Sequence, residues 1–182
     1  MTKIKEKYNK IVIAEMKKQF NLKNVFEVPR IEKVVVNVGT GKYLNDSAKV
    51  ADIFKALETI TAQKPLNTKS RKSIAGFKIR EGLEVGMKVT LRGTRMWDFI
   101  ERTVGAALPR VKDFHGLKLS SVDADGNLNI GIKEHLIFPE ILPEQVKTIF
   151  SFQVTITTTA KSREEGLALF KALGFPLETT NI

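Results

Sequence analysis

The sequence predicts an α+β fold: a mostly antiparallel sheet with helices packed on one face, and basic loops that protrude from it. Some segments have apolar residues at every second position, as strands do, and others have them every three or four positions, as helices do. Predicted strands come both in hairpins and after helices, which favours α+β over a parallel α/β arrangement. No repeat, linker or low-complexity segment interrupts the chain, so we predict a single domain over residues 1–182.

The first predicted element is an amphipathic helix near the N-terminus, followed by a strand. The apolar face of the helix consists of Ile4, Tyr8, Ile11, Val12, Met16 and Phe20, with lysines on the other sides. Residues 31–38 read IEKVVVNV and alternate as a strand does, with Lys33 and Asn37 on one side and residues 32, 34, 36 and 38 on the other. Since asparagine is disfavoured in strands, Asn37 calls for a functional reason.

The middle of the chain is predicted as a helix and two strands. Residues 39–41 form a turn, residues 45–47 offer helix caps, and a second amphipathic helix covers residues 50–60, before Pro65. Strands follow over residues 66–69 and 83–91, joined by the stretch SRKSIAGFKIREG at residues 70–82. Apolar residues cover one face of such a sheet and leave a polar face. We expect that face to carry Lys33, Asn37, Lys88, Thr90 and Arg92.

The last third of the chain combines a helix, an irregular loop and a hairpin. Thr94 is a candidate cap for a helix that ends at Pro109, and residues 110–117 form an irregular basic loop. Residues 123–127, DADGN, are typical of a hairpin turn. A strand over residues 152–158 precedes a helix whose capping box is residues 162–165 and whose C-cap is Gly174.

Charge is the main compositional signal. The chain has 30 Lys and Arg against 20 Asp and Glu, a net charge of +10, which indicates a polyanionic partner. The excess is regional: residues 1–30 hold eight basic and three acidic residues, and residues 61–90 hold seven and two. Residues 59–80 contain no Asp or Glu at all. This distribution is typical of a nucleic-acid-binding face.

Composition also excludes several function classes. The chain has no cysteine, which rules out disulfides, thiolate metal sites and cysteine nucleophiles. The charged N-terminus is unlike a signal peptide, and no run of 18 apolar residues occurs, so we expect a cytoplasmic protein without a membrane partner.

No catalytic, cofactor or metal motif is complete. The turn at residues 39–42, GTGK, is followed by Tyr43 where a phosphate loop needs Ser or Thr. Asp123 and Asp125 precede a glycine at the fourth rather than the sixth loop position, unlike a calcium loop. His115 and His135 are 20 residues apart without ligand spacing, and no GxSxG elbow occurs. We therefore predict no enzyme activity, no cofactor and no metal site.

Residues 70–82 combine charge with small and aromatic groups. Lys and Arg suit phosphate contacts, Phe77 can stack on an unpaired base, and glycine permits close backbone approach. We expect an extended, mobile finger with Ile74 and Phe77 at an apolar tip and turns at Gly76 and Gly82. The alternative is a flexible loop whose Phe77 side chain is buried in the core.

Seven strings, in this order and spacing, carry a family resemblance: IEKVVVNVGTG, AQKP, KSIAGFKIREG, KVTLRG, ALPRVKDFHGL, GIKEHLIFPEI and TTAKSREEGLALFKALGFP. They resemble the bacterial large-subunit ribosomal proteins of the fifth family, which bind 5S rRNA. One departure is Ala62, where glycine is expected before QKP. The resemblance implies a structural role in attaching 5S rRNA within the central protuberance.

The resemblance also implies partners and residues. The implied partners are 5S rRNA, 23S rRNA, P-site tRNA, small-subunit protein thirteen and other 5S-binding large-subunit proteins. By matching motifs, Asn37, Gln63 and Thr90 face 5S rRNA, and Lys33, Lys88 and Arg92 join them as neighbouring polar positions. Gln63 rests on the family alone.

Two further sites follow from the resemblance. The segment facing tRNA corresponds to Arg71, Lys72, Ser73, Gly76, Phe77, Lys78 and Arg80. The loop with Arg110, Lys112 and His115 is the candidate inter-subunit bridge. Two alternatives stay open: a free nucleic-acid chaperone or DNA-binding module, and an enzyme with ligand-dependent turnover.

Overall fold

The computed structural model describes residues 3–44 and 46–178, except for the side chain of Gln145. Its α-helices are α1 (Lys3–Lys7), α2 (Ile13–Gln19), α3 (Ser47–Thr61), α4 (Gly93–Arg102) and α5 (Arg163–Leu173). Its strands are β1 (Ile31–Gly39), β2 (Leu66–Lys69), β3 (Glu84–Leu91), β4 (Leu128–Ile132) and β5 (Phe152–Thr158). They form one antiparallel sheet in the order β2-β3-β1-β5-β4. Within the described ranges no helix is both long and apolar enough to cross a membrane.

One face of the sheet is buried, as the alternating pattern predicts. The buried strand residues are Val34, Val36, Val38, Met87, Val89, Leu91, Leu128, Ile130, Ile132, Phe152, Val154, Ile156 and Thr158. The residues between them are exposed or half-exposed, apart from the buried Gly86. The α+β prediction is therefore confirmed. The alternation fails at the start of β1, where Ile31 is buried and Glu32 is exposed.

Packing divides the described chain into two compact units. Unit 1 takes its residues from 1–34, 91–130 and 155–182, and unit 2 takes them from 35–90 and 131–154. The single domain over residues 1–182 stays a prediction.

In unit 1 the N-terminal helix has a π-helical turn at its centre. This turn, Tyr8–Val12, joins α1 to α2 without a break. Tyr8 packs against Trp97 at 5.9 Å between ring centroids, and its hydroxyl donates to the carbonyl of Pro29. Burial raises the pKa of the Tyr8 hydroxyl. The predicted apolar face is only partly correct, because Ile11 lies within the π-helical turn and is 46% exposed.

The second helical segment of unit 1 differs from the prediction at its start, whereas its end, at Arg110, lies one residue from the predicted Pro109. It begins at Gly93, so Thr94 lies inside α4, and the cap position Arg92 makes no side-chain cap hydrogen bond. It also continues past Arg102 through a second π-helical turn and a 3₁₀ turn, Leu108–Arg110, that contains Pro109. Proline is tolerated there because a first-turn position needs no N–H donor.

One hairpin turn and both ends of α5, all in unit 1, agree with the predictions from the sequence. The carboxylate of Asp123 accepts hydrogen bonds from the backbone N–H and the side-chain amide of Asn127, at 2.7 and 3.0 Å, which closes the hairpin turn. The Ser162 hydroxyl caps α5 by accepting from the N–H of Glu165. The helix ends at Gly174, whose φ of 94° lies in the left-handed region.

In unit 2, residues of α3 line a pocket together with the buried Met87 of β3. Asp46 caps the helix through the N–H of Lys49, while Asn45 lies outside the described residues. Ile53, Leu57 and Ile60 are fully buried. The helix ends at Ala62 in the left-handed conformation, with a φ of 51°. This is the position where the resemblance leads us to expect glycine, which adopts the left-handed conformation without steric cost.

Replacing Ala62 by glycine is therefore expected to stabilise the protein by about 0.5–1 kcal/mol. The left-handed conformation costs a residue with a Cβ atom about 1–2 kcal/mol, and the greater freedom of unfolded glycine offsets about half of this. Urea unfolding measures the change. The matched control is Ala51→Gly in the interior of α3, which should destabilise by about 1 kcal/mol. A loss of stability in Ala62→Gly would contradict the explanation.

Candidate nucleic-acid interface

The polar residues predicted for β1 and β3 lie on the uncovered face. In unit 2, Asn37 and Lys88 are exposed, and Thr90 is half-exposed. Each lies between two buried residues of its own strand, so the strand fixes the side on which its side chain lies. The periodicity predicts that these three side chains lie on the face that is not buried, and this is confirmed.

Gln63 lies next to Thr90, although the two are 27 residues apart. The Gln63 side-chain Nε2 donates a 3.1 Å hydrogen bond to the backbone carbonyl of Thr90. At the end of α3 the single Thr61 hydroxyl proton is shared between the backbone carbonyl of Leu57, at 2.7 Å, and that of Gln63, at 3.0 Å. The bond from Gln63 to Thr90 uses one of the two N–H donors of Nε2, and the amide oxygen Oε1 is an acceptor. The structure thus brings two of the three motif-matched residues together.

Sequence reasoning from periodicity missed Gln63. The residue lies in a short connection between α3 and β2, where no repeating pattern applies. The sequence could have indicated Gln63 by its position. The helix stops before Pro65, so only a few residues connect it to the next strand of the sheet.

Lys33 and Arg92 belong to unit 1. Lys33 is half-exposed and Arg92 is exposed. Arg92 pairs with Glu32 at 3.2 Å. An exposed pair of this kind contributes about 0–1 kcal/mol, so a phosphate group can compete for the guanidinium.

Residues 70–82, here called the basic finger, form a closed hairpin rather than an extended loop. The finger extends the antiparallel pair of β2 and β3, with Ser70 N–H donating to the Leu83 carbonyl at 2.8 Å. Ile74 and Ile79 exchange two backbone hydrogen bonds of 2.8 and 3.1 Å further along. The expectation of an extended segment is therefore wrong, because backbone pairing offsets the repulsion among the cations.

The turn at the tip of the basic finger is made by an unexpected residue. Residues 75–77 form a 3₁₀ turn, and Lys78 closes it with a φ of 53°. Gly76 lies at the centre of this turn, as expected, although it is not left-handed, and Gly82 has a φ of 81° as a turn glycine does. Phe77 is 73% exposed and Ile74 46% exposed. The alternative with Phe77 in the core is wrong.

The charged residues of the basic finger all face solvent. Arg71, Lys72, Lys78 and Arg80 are exposed or half-exposed. Ser73 has a structural contact, since its hydroxyl accepts from the N–H of Glu81 at 3.0 Å. The finger therefore presents a cationic shaft and an apolar tip on a hydrogen-bonded frame.

The loop after Pro109, in unit 1, is irregular over residues 111–116 as predicted, whereas Arg110 ends the preceding 3₁₀ turn. Arg110, Lys112 and His115 are exposed. The end of the loop is held by Leu117, whose N–H donates to the Pro176 carbonyl at 2.7 Å and whose carbonyl accepts from Glu178.

The other candidate motifs form ordinary structure. At residues 39–42, Thr40 is buried and its N–H donates to the Val85 carbonyl at 2.9 Å, so this segment is a turn. His135 is buried in unit 2, whereas His115 is exposed in unit 1.

Comparison with known proteins supports the resemblance. Residues 24–80 match the family model described as "Ribosomal protein L5", and residues 84–177 match the model for the C-terminus of the same ribosomal protein family. A relative from Colwellia psychrerythraea, "Large ribosomal subunit protein uL5", is 47% identical over 178 residues, which cover 98% of each chain. The chain therefore belongs to the ribosomal protein L5 family.

Proposed function

We propose that this protein binds 5S rRNA through Asn37, Gln63 and Thr90 and helps to attach it in the central protuberance. As a ribosomal L5 protein it is a structural component of the large ribosomal subunit, and it is cytoplasmic as part of the ribosome. The Gln63–Thr90 hydrogen bond supports the residue-level proposal, because it holds the Gln63 side chain against the backbone of Thr90, so that two motif-matched residues are neighbours.

The chemistry of these residues suits RNA. The Gln63 oxygen can accept from a 2′-hydroxyl or a base amino group, and Thr90 and Asn37 can both donate and accept. Lys88 in unit 2, and Lys33 and Arg92 in unit 1, supply cations for phosphate contacts. We propose 23S rRNA and the other 5S-binding proteins of the large subunit as the further neighbours.

Alanine substitutions test the three residues. Asn37→Ala, Gln63→Ala and Thr90→Ala should each weaken 5S rRNA binding about 2- to 100-fold. A hydrogen bond contributes about 0.5–1.5 kcal/mol, and a buried partner left unpaired costs about 1–3 kcal/mol. Filter binding measures the affinity and thermal unfolding measures the fold. Ser120→Ala, an exposed change in unit 1, is the matched control. Wild-type affinity in all three variants would contradict the assignment, and a large loss of thermal stability would make these residues structural.

We also propose that the basic finger contacts P-site tRNA. The four solvent-facing cations and the exposed Phe77 ring support this. These contacts should be made to the backbone and shape of the tRNA, because the ribosome must accept every tRNA.

The third proposed contact is an inter-subunit bridge from residues 110–116 to small-subunit protein thirteen. The exposed Arg110, Lys112 and His115 support it. An amine-reactive crosslinker on whole ribosomes should join Lys112 to a small-subunit component. The product should vanish in Lys112→Arg, which keeps the charge but lacks a reactive amine. Crosslinks confined to the large subunit would count against the bridge.

A further inference from the structure

Unit 2 contains a cavity that the proposed function does not use. It has a volume of about 220 Å³ and lies between α3 and the segment from residue 135 to residue 148. His135, Glu140 and Thr148 line it, together with the apolar Ile141 and Val146. Two lysines, Lys55 and Lys147, also line it, and both are exposed.

His135 lines this cavity and has a buried hydrogen-bond acceptor without a partner in the described ranges. The residue is 1% exposed, and its ring stacks on Phe150 at 4.1 Å between centroids. Burial lowers the pKa of His135, so the ring is neutral near pH 7, and a ring N–H donates to the Phe150 backbone. The other nitrogen, Nδ1, has no hydrogen-bond partner among the described residues. In a neutral imidazole whose Nε2 carries the proton, Nδ1 is an acceptor.

Thr148 supplies a second such group. Its side chain lines the same cavity, the residue is 9% exposed, and Oγ1 has no partner within the described part of the chain. Buried polar atoms are almost always hydrogen-bonded. Two of them on one cavity wall therefore point to a bound group that donates to His135 and bonds the Thr148 hydroxyl.

The remaining lining narrows the chemistry of that group. His135 Nδ1 and Thr148 Oγ1 can both accept hydrogen bonds, so the inner part of the ligand should carry two N–H donors on one group. Ile141 and Val146 offer apolar contact to a flat ring. Lys55 and Lys147 suit a phosphate, with Asp52 beside Lys55 moderating the charge. A nucleotide with an exocyclic amino group has all three features.

We propose that this cavity binds one unstacked RNA nucleotide whose base is adenine, cytosine or guanine. The two N–H groups of the base amino group donate to His135 Nδ1 and Thr148 Oγ1, and the phosphate lies against Lys55 and Lys147. This inference rests on the proposed function for its RNA source, since proteins that bind RNA commonly take up splayed-out bases.

Nitrogen-15 NMR of the histidines in the full chain tests the proposal. Adding 5′-AMP, 5′-CMP or 5′-GMP should move the His135 Nδ1 resonance saturably, and 5′-UMP, which lacks the amino group, should bind more weakly. Thr148→Val should weaken the binding about 2- to 10-fold, as loss of one hydrogen bond does. Thr94→Val, at an exposed position in unit 1, should leave it unchanged. 5S rRNA should move the same resonance.

Several results would overturn the proposal. These are no saturable shift with any nucleotide, the same shift with inorganic phosphate alone, or equal binding by Thr148→Val. If spermidine or arginine saturates the shift instead, the cavity binds a cation. If free nucleotides move the resonance but 5S rRNA does not, the nucleotide that the cavity binds does not come from 5S rRNA. If no nucleotide binds while wild type and Thr148→Val bind 5S rRNA equally, this inference is wrong and the proposed function is unaffected. If 5S rRNA binding itself is absent, the proposed function fails.

Discussion

Replacing residues 73–80 of the basic finger by a short Gly-Ser turn is expected to preserve the fold and 5S rRNA binding but to release P-site tRNA about 10- to 100-fold faster. The change removes Lys78, Arg80 and the exposed Phe77 ring. A 10- to 100-fold change corresponds to about 1.4–2.7 kcal/mol. This is the loss of about one contact, either a hydrogen bond to a charged group at about 1.5–3 kcal/mol or a stacked ring at about 1–3 kcal/mol. The base of the hairpin should survive, because Ser70 keeps its backbone hydrogen bonds to Leu83 and Gly82.

Both readouts belong on the same variant: 5S rRNA affinity of the free protein and tRNA dissociation from assembled ribosomes. Two smaller variants separate the contributions. Phe77→Ala tests the ring, and the pair Lys78→Gln with Arg80→Gln tests the charge. A collapse of 5S rRNA binding with unchanged tRNA retention would mean that the finger belongs to the 5S site.

The affinity for 5S rRNA is expected to fall about 60- to 1000-fold between 50 and 200 mM salt. A net charge of +10 concentrated in two segments suggests about 4–6 phosphate contacts. The logarithm of affinity should then fall against the logarithm of salt with a slope of magnitude about 3–5. Lys88→Gln should reduce that slope by about one, whereas Asn37→Ala should weaken binding at every salt concentration without changing it. A slope near zero would contradict the electrostatic contribution.

The elements with a repeating pattern could be predicted from sequence. In β1 and β3, burial of every second residue leaves Asn37 and Thr90 on the uncovered face, and the alternation alone indicated this. The C-terminal helix likewise begins after Ser162 and ends at Gly174, where local hydrogen bonding and backbone conformation decide the boundary.

Features that depend on contacts between residues distant in sequence could not be predicted from a repeating pattern. Gln63 reaches Thr90 only because the chain returns to the sheet after α3. The closed form of the basic finger depends on the pairing of Ile74 with Ile79 and on a left-handed Lys78, neither of which a charge pattern indicates. The cavity beside His135 likewise joins α3 to a loop more than 75 residues away.

Specific recognition of 5S rRNA is the central claim, and salt dependence alone does not establish it, because any polyanion responds to salt. The direct measurement is competition between labelled 5S rRNA and unlabelled duplex DNA of equal phosphate content, at fixed salt. The account predicts that unlabelled 5S rRNA displaces the label at least about 1000-fold more effectively than the duplex, the lower end of the range for specific over non-specific nucleic-acid binding. Equal displacement by the two competitors would contradict it, and would instead favour a free nucleic-acid chaperone or DNA-binding module.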